Sequence, residues 1–199
     1  NSDTKYGMTP SDIKKAYNLD ALTLEGTGQT LAIASLDDFA DSDIAVYENC
    51  FGLRHVPLQR IPVYGGATEM VGECTLDIEM AVAMAAGLDR ILVYNTYNGG
   101  SRGLLAQIAL DNAANQGSSS WGARESTMAQ DEVDFENMAF TWMAAQGQSV
   151  YAASGDSGTS RGVNDPASQP HVVGVGGTTL TFDRDSGYID ETVWETDTG

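Results

Sequence analysis

Apolar, strand-like runs alternate with helical segments along the chain, and this alternation limits the fold more than any other feature of the sequence. The candidate strands are TLAIASLD (30–37), RILVYN (90–95), a short stretch near GSSSWG (117–122), QSVYAAS (148–154) and HVVGVGG (171–177). The candidate helices cover 11–19, 41–53, 76–87, 102–116 and 130–147, the first capped by Thr9 and the third closed by Gly87. A β-α-β-α order is typical of a mostly parallel sheet covered by helices on both faces. The sequence therefore predicts an α/β fold, with residues 1–199 in one unit.

The net charge of the chain is strongly negative. Its 199 residues include 28 Asp and Glu against 10 Lys and Arg, which gives a formal charge of −18. Such a charge repels nucleic acid and anionic membranes, so neither is expected as a partner. It suits an acidic environment in which many carboxylates are protonated. The alternative is that the acidity only keeps a secreted or salt-tolerant protein soluble.

The sequence shows no membrane or targeting segment. No apolar run approaches the ~20 residues of a membrane span. The segment from Asn1 has neither an initiator Met nor a signal-like apolar stretch. We therefore expect a processed, soluble product.

The chain has two cysteines, Cys50 and Cys74. They are compatible with one disulfide in an oxidising compartment or with two buried thiols, and their spacing does not decide between these. Two cysteines and two distant histidines make no zinc site, so no metal ligand is predicted in the chain.

Two acidic residues begin the predicted helix within GECTLDIE (72–79). Glu73 and Asp77 are four residues apart, so on a helix their carboxyl groups project from one face, whereas Glu79 points elsewhere. The rest of this helix is almost all apolar, which predicts that it is largely buried. Two carboxyls held this close favour sharing one proton, and such a pair can act as a general base at acid pH. The alternative is that both are solvated acids of a first helical turn.

A serine-containing loop follows the strand 148–154, at the edge where sites form in open α/β sheets. Its GDSG segment resembles the nucleophile loop of trypsin-type enzymes around Ser157, but those enzymes need an upstream catalytic His in an all-β fold. His55 lacks the surroundings of such a His, and His171 begins a predicted core strand. Ser160 lies in GTSRGV, without the Pro and the buried helix that follow a subtilisin-type nucleophile. We therefore predict that no serine of this chain is the nucleophile.

Four segments, in this order, resemble the sedolisin, or serine-carboxyl peptidase, family: GECTLDIE, SSSWG, YAASGDSG and PHVVGVGGTTL. The opening YGMTPSDIKKAYNL is also similar to the start of that family's mature catalytic domains. Together these segments extend over nearly the whole chain. The resemblance implies a subtilisin-like fold and a serine-type endopeptidase that hydrolyses peptides or proteins in acid. It also implies an extracellular or acidic, lysosome-like compartment.

The resemblance implies roles for three acidic residues. Glu73 matches the family's general base, Asp77 matches the acid hydrogen-bonded to it, and Asp156 matches the residue that stabilises the oxyanion. An Asp donates a hydrogen bond to a developing negative oxygen only when it is protonated, which acid pH and partial burial favour. We therefore expect an acid pH optimum.

Two further segments resemble substrate-binding elements of the family. The SSSWG stretch is similar to the strand edge that pairs with the substrate backbone, which implies peptide binding by strand addition at Ser119, Ser120, Trp121 and Gly122. Trp121 has the alternative role of a packing aromatic. Asp165 resembles part of the wall of the primary specificity pocket, where it would favour a basic or polar side chain. The alternative is that Asp165 is only a turn residue before Pro166.

The resemblance also implies parts that lie beyond Gly199. The family's nucleophilic Ser belongs to a G-T-S-x-x-x-P segment expected downstream, together with the aspartates of a calcium site. We therefore expect a C-terminal light chain, separated by cleavage near 196–199, to supply the serine, and calcium as a cofactor with ligands outside this chain. Residues 1–199 are then the N-terminal portion, or heavy chain, of one catalytic domain, and the fold is incomplete without the partner segment. The alternative is a non-catalytic fragment or pseudoenzyme that binds extended peptides.

Overall fold

Strands and helices alternate in the computed structural model as the sequence predicts. The structure describes residues 7–97 and 100–195, and the predicted cleavage region at 196–199 lies outside them. The helices are α1 (Pro10–Ala16), α2 (Asp41–Phe51), α3 (Glu73–Met84), α4 (Ser101–Asp111) and α5 (Gln130–Ala145). The strands are β1 (Thr30–Ser35), β2 (Leu58–Pro62), β3 (Arg90–Asn95), β4 (Gln116–Ser119), β5 (Ala123–Arg124), β6 (Ser149–Ala153), β7 (Asn164–Asp165), β8 (Val172–Val175), β9 (Thr178–Asp183) and β10 (Gly187–Val193). None of the described helices is both long and apolar enough to cross a membrane.

Within the described residues, six strands form one parallel sheet in the order β2-β3-β1-β4-β6-β8. The register aligns Ile33 of β1 with Val93 of β3 on one side and with Ser118 of β4 on the other. Outside this sheet, β9 and β10 form an antiparallel hairpin, and β5 pairs with β7. The predicted α/β class with a mostly parallel sheet is confirmed.

Both faces of the sheet carry helices, as predicted. Successive side chains of a strand point to opposite faces. Ile33 and Val93 accordingly pack in one buried cluster with residues of α2 and α3, whereas Ala34 and Leu92 pack in another with residues of α4 and α5. Full burial of each large aliphatic side chain contributes about 1.5–3 kcal/mol. These two clusters fix the central strands and, with them, the loops at their carboxyl ends.

Helix α3 begins three residues before the predicted start, so that Glu73 is its first residue. Gly72 precedes it with φ of 103°, a left-handed conformation that favours glycine. The prediction that Gly87 closes this helix is wrong, because the helix ends at Met84. Gly87 instead allows two backbones to meet: its N–H donates to the Glu25 carbonyl at 2.7 Å, and a Cβ would lie 2.6 Å from that oxygen.

The strand β8 differs from the prediction of a core strand. It lies at the edge of the sheet, where Val173 and Val175 are 50% and 49% exposed. An apolar run has the same sequence pattern whether or not another element covers it. The exposure of β8 therefore could not be predicted from its sequence. Among the described residues, this end of the sheet is left largely uncovered on the side that carries α3.

Both cysteines are free thiols in the structure. Cys50, near the end of α2, is exposed, and Cys74, in the first turn of α3, is buried. The disulfide alternative is therefore not observed. The alternative of two buried thiols holds only for Cys74.

Candidate active site

A buried carboxylate that the sequence analysis missed fixes the start of α3. Asp37, two residues after β1, accepts hydrogen bonds from the backbone N–H groups of Val71, Gly72 and Cys74 at 3.2, 3.1 and 3.0 Å. The Ser35 hydroxyl donates to the same carboxylate at 2.7 Å. Unpaired N–H groups and the positive helix end both favour a carboxylate here. Asp37 therefore sets the position of Glu73, the first residue of the helix.

Replacing Asp37 with Ala is expected to lower the free energy of unfolding by about 3 kcal/mol, because three backbone N–H groups, among them that of the buried Cys74, lose their acceptor. Urea unfolding of the natively purified protein measures this change. Asp41→Ala is the matched control. Within the part of the chain that the structure describes, the side chain of the exposed Asp41 bonds to Arg60 alone, so its loss is expected to cost less than about 1 kcal/mol. An equally small change for both variants would refute this role of Asp37.

Asp77 lies on the same face of α3 as Glu73, one turn further along. The Ser120 hydroxyl donates to its Oδ1 at 2.7 Å, and its buried Oδ2 has no partner among the described residues. Burial raises the pKa of Asp77 to about 6, against the lowering effect of the Ser120 bond, and the negative charges of Glu73 and Asp37 raise it further. Asp77 is therefore protonated over much of the acid range. The alternative of two freely solvated acids does not hold for Asp77.

The segment Ser119–Gly122 begins at the end of β4 and contacts α3. Besides the bond from Ser120 to Asp77, the Trp121 indole N–H donates to the Ser35 hydroxyl at 3.2 Å. A Cβ on Gly122 would lie 2.5 Å from the carbonyl oxygen of Asp165, so only glycine allows this approach. The four residues predicted to pair with the substrate backbone are thus held against the carboxyl end of the sheet. Trp121 has a specific polar contact there as well as its packing.

Asp156 lies in the loop after β6, at the same end of the sheet. It lines a groove of about 270 Å³ that Ser119, Ser120 and Gly155 also line. Its side chain is exposed, so the partial burial expected for it is not observed. Gly176 and Trp194 also line this groove, which is open to solvent. Glu73, Asp77 and Asp156 therefore share one end of the sheet, where Glu73 and Asp77 are partly buried and Asp156 is exposed.

Asp165 is a buried residue of β7 and more than a turn residue before Pro166. Its Oδ2 accepts from the side chains of Gln169 at 2.6 Å and Ser168 at 3.3 Å. Its carboxyl also contacts that of Glu136 on α5, whose pKa is raised to about 9 by burial and by the hydrogen bond with Asp165. Glu136 could not be singled out from the sequence, because QDEVDFENM has the composition of an ordinary solvated helix.

The histidines and the rejected serines play no visible part in this site. His55 Nδ1 pairs with Glu48 Oε2 at 2.8 Å on a largely exposed ring, and the Ser160 hydroxyl donates to the Ser157 carbonyl at 2.7 Å. Histidine is absent from the described residues that line the groove at Asp156. Within the described part of the chain, no group of three or more His, Cys, Asp or Glu residues is arranged to hold a metal ion.

An open parallel sheet with helices on both faces and acidic residues at its carboxyl end is a subtilisin-like α/β fold. The solved structure of Pseudomonas sedolisin, a serine-carboxyl proteinase complexed with two molecules of pseudo-iodotyrostatin, matches it with a TM-score of 0.81 and 27% sequence identity, over 94% of this chain and 58% of that one. Kumamolisin from Bacillus sp. (strain MN-32) is 34% identical over 207 residues, 94% of this chain. Sedolisin from Pseudomonas sp. (strain 101) is 31% identical over 227 residues, 96% of this chain. The chain belongs to the sedolisin family.

These relatives are longer than the chain. It spans 37% of the length of kumamolisin and 37% of that of sedolisin. No protein-family model matches the sequence.

Proposed function

We propose that this chain is the N-terminal portion, or heavy chain, of an acid-acting serine-carboxyl peptidase that hydrolyses peptide bonds in peptides or proteins. The observation that carries the proposal is the environment of Asp77. This carboxyl is largely buried and held by Ser120, and its second oxygen, also buried, has no partner among the described residues; Glu73 lies one turn away. A carboxylic acid kept neutral in this position can donate a hydrogen bond to a neighbouring carboxylate, which orients that carboxylate for proton transfer.

Glu73 is the general base in this proposal. It accepts the proton of the attacking serine hydroxyl as the serine oxygen bonds to the peptide carbonyl carbon, and the protonated Asp77 stabilises the arrangement. When the tetrahedral intermediate collapses, Glu73 returns the proton to the leaving amine, and an acyl-enzyme remains. Water then attacks the acyl carbon with the same base, which releases the acid and restores the serine.

Asp156 supplies the oxyanion contact in this proposal. A protonated carboxyl donates a hydrogen bond to the negative oxygen of the intermediate, and a preorganised donor of this kind lowers the barrier by about 3–4 kcal/mol. Its position in the groove beside Ser119 and Ser120 supports the role, because the substrate carbonyl would lie next to the strand edge. Asp156 is exposed within the described residues, and in this proposal further polypeptide or substrate covers the groove.

The nucleophilic serine comes from outside residues 1–199, on a C-terminal light chain. The uncovered part of the sheet supports this proposal. Val173 pairs with Tyr151, Tyr151 pairs with Ser118, and Ser118 pairs with Ile33. Tyr151 and Val173 therefore share the face that carries α3. Both are half exposed, and a cavity of about 370 Å³ separates Tyr151 from Asp77 on that face. Polypeptide packed there would bury the exposed apolar surface and lie beside Asp77.

The calcium ion and the compartment are proposed from the resemblance to the family. The described residues offer no cluster that fits a metal ion, so the calcium ligands are proposed to lie outside this chain and no step above involves the ion. The formal charge of −18 and the protonated state of Asp77 in acid support an extracellular or acidic, lysosome-like compartment.

Asp156→Ala tests the proposed reaction. The variant is expected to lower kcat for peptide cleavage at pH 4 by roughly 10²–10³, the effect of losing one oxyanion donor. Ser157→Ala in the natively purified protein is the matched control, since it changes the adjacent side chain and is expected to leave cleavage unchanged. Full activity in Asp156→Ala, or loss of activity in Ser157→Ala, would contradict the proposed chemistry. A protein that binds extended peptides but cleaves none would support the non-catalytic alternative.

A further inference from the structure

The short strand β7 lies between the two segments on which the proposed reaction depends. On one side it pairs with β5, where Asp165 lies opposite Ala123, the residue after the segment proposed to pair with the substrate backbone. On the other side, the Asn164 N–H donates to the Ser154 carbonyl at 2.9 Å, just before Asp156 in the chain. A shift of β7 would therefore move both the substrate-pairing segment and the loop that carries the proposed oxyanion residue.

The contacts of β7 with these segments are close as well as hydrogen-bonded. A Cβ on Gly122 would lie 2.5 Å from the carbonyl oxygen of Asp165, and a Cβ on Gly155 would lie 3.0 Å from the side-chain amide of Asn164. Closely packed interiors transmit a displacement from one element to the next. Because β7 has only two residues, its own ladder contributes few hydrogen bonds, and its position depends on its contacts with α5.

A pair of buried carboxyl groups joins β7 to α5. Asp165 of β7 and Glu136 of α5 are 1% and 3% exposed, and the two carboxyls contact each other. Asp165 Oδ1 and Glu136 Oε2 have no hydrogen-bond partner among the described residues. Two ionised carboxyls would repel each other here, whereas one proton held between the groups supplies the missing hydrogen bond. The pair is therefore a protonated link between the helix and the strand.

Gln169 supports the same link. Its Nε2 donates to Asp165 Oδ2 at 2.6 Å and to the Val133 carbonyl of α5 at 3.3 Å. Because this bond occupies the second oxygen of Asp165, the first oxygen is left to Glu136.

The charged groups around Glu136 keep the shared proton in place. Burial, the hydrogen bond with Asp165 and the negative charges of Asp165 and Glu132 raise the pKa of Glu136 to about 9, against the opposing charge of Arg102 on α4. Arg102 itself donates to the exposed Asp131 at 3.0 Å. The link is therefore complete throughout the acid range in which the peptidase is proposed to act.

We propose that Glu136, acting through Asp165, is a positioning residue for the proposed reaction. The carboxyl pair holds β7 against α5, and β7 in turn holds the substrate-pairing segment and the loop of Asp156 at the carboxyl end of the sheet. Glu136 need not touch the substrate in this role. The inference rests on the proposed function, in that the segment is taken to bind the substrate and Asp156 to stabilise the oxyanion.

Two substitutions of Glu136 test the inference in the natively purified protein. Glu136→Leu keeps a similar volume without a hydrogen bond, and its kcat/KM for an extended peptide at pH 4 is expected to fall by about 10²-fold, the effect of a misplacement of about 1 Å. Glu136→Gln donates to Asp165 through its amide and is expected to keep kcat/KM within about threefold. KM should rise in Glu136→Leu because the substrate-pairing segment is displaced, whereas a smaller folded fraction would lower kcat alone.

Backbone hydrogen exchange gives a second measurement, which needs no nucleophile. At the same pH, Glu136→Leu is expected to exchange faster than wild type at 122–125 and 163–165, while the core strands β1 and β3 exchange at the wild-type rate. Glu136→Gln should match wild type in all of these segments. Asp134→Leu, at an exposed position of the same helix, is the control and should match wild type in both kinetics and exchange.

The outcomes separate this inference from the proposed function. Wild-type kinetics and exchange in Glu136→Leu, or an equal loss in Glu136→Gln, would overturn the role of Glu136. Faster exchange throughout the chain in Glu136→Leu would also overturn it, because that result shows a general loss of stability. If no peptide is cleaved but exchange rises only at the two segments, the link through Glu136 stands and the peptidase proposal fails. If urea unfolding shows that Glu136→Leu does not fold, Glu136→Asp replaces it, since its shorter side chain withdraws the carboxyl from Asp165.

Discussion

Glu73→Gln is expected to lower kcat/KM for peptide cleavage at acid pH by about 10⁴-fold or more. The amide cannot accept the proton of the attacking serine, and loss of one member of a catalytic unit removes most of the catalysis that the unit provides. The effect should fall on kcat, because glutamine has nearly the same shape as glutamate and substrate binding depends on the segment Ser119–Gly122. Steady-state kinetics of the natively purified protein with a peptide substrate measures both constants.

Glu79→Gln is the matched control for this change. Glu79 lies on the same helix, but its surroundings are Tyr47 and Asp43, away from Asp77. It is expected to retain cleavage within about twofold. If Glu73→Gln kept a tenth or more of the wild-type activity while the fold was intact, Glu73 would not be the general base.

The free energy of unfolding is expected to decrease as the pH rises from about 4 towards 9. Asp77 and Glu136 have their pKa values raised to about 6 and about 9, mainly by burial, from ordinary values of 3.8 and 4.5. The folded chain therefore binds more protons than the unfolded chain in this range. The contribution of the two protonated carboxyls to stability is complete below about pH 4. It is lost as the pH rises through 6 for Asp77 and through 9 for Glu136, with a slope of at most about 1.4 kcal/mol per pH unit for each proton.

Two surface carboxylates, Asp131 and Asp183, have the opposite effect on the pH dependence of the free energy of unfolding, and this effect is weak. The pKa of Asp131 is lowered by its bond with Arg102, and that of Asp183 by the backbone N–H of Ser186, so their contributions are lost only at lower pH. Both are fully exposed, where solvent screens such interactions.

Urea unfolding at a series of pH values, in wild type and in Glu136→Gln, checks this expectation. Glutamine imitates the protonated carboxyl and can donate to Asp165 at every pH. The variant should therefore lose less stability between pH 5 and 8 than the wild type, whereas Asp134→Asn should show the wild-type slope. A wild-type stability that rises over this range would contradict the assignment of buried, protonated carboxyls.

The sequence could predict those parts of the fold and site that depend on local pattern. The apolar runs of β1 and β3 are short and bounded, which predicts buried strands, and the observed sheet confirms them. The spacing of Glu73 and Asp77 depends only on the helical repeat, so their common face was predictable, as was the position of Asp156 at the end of β6. The sedolisin resemblance was confirmed, while the catalytic roles of these residues remain predictions.

The parts that the sequence could not predict depend on distant contacts. Asp37 caps a helix that begins 36 residues later, and nothing in SLDDF indicates which N–H groups its carboxylate will meet. Glu136 and Asp165 likewise meet only because α5 and β7 fold against each other. The strand β2 was missed because LQRIP has few apolar residues, as expected for an edge strand. The exposure of Val173 could not be read from an apolar run that has the pattern of a core strand.

The most direct test of the central proposal locates the nucleophile. The natively purified protein is treated at acid pH with a serine-reactive phosphonate peptide, and the labelled residue is found by mass spectrometry under denaturing conditions. The proposal predicts that the label lies outside residues 1–199, on a polypeptide that accompanies the 21.1 kDa chain. A label on a serine within the chain, or peptide cleavage by material that contains only the 21.1 kDa species, would contradict it.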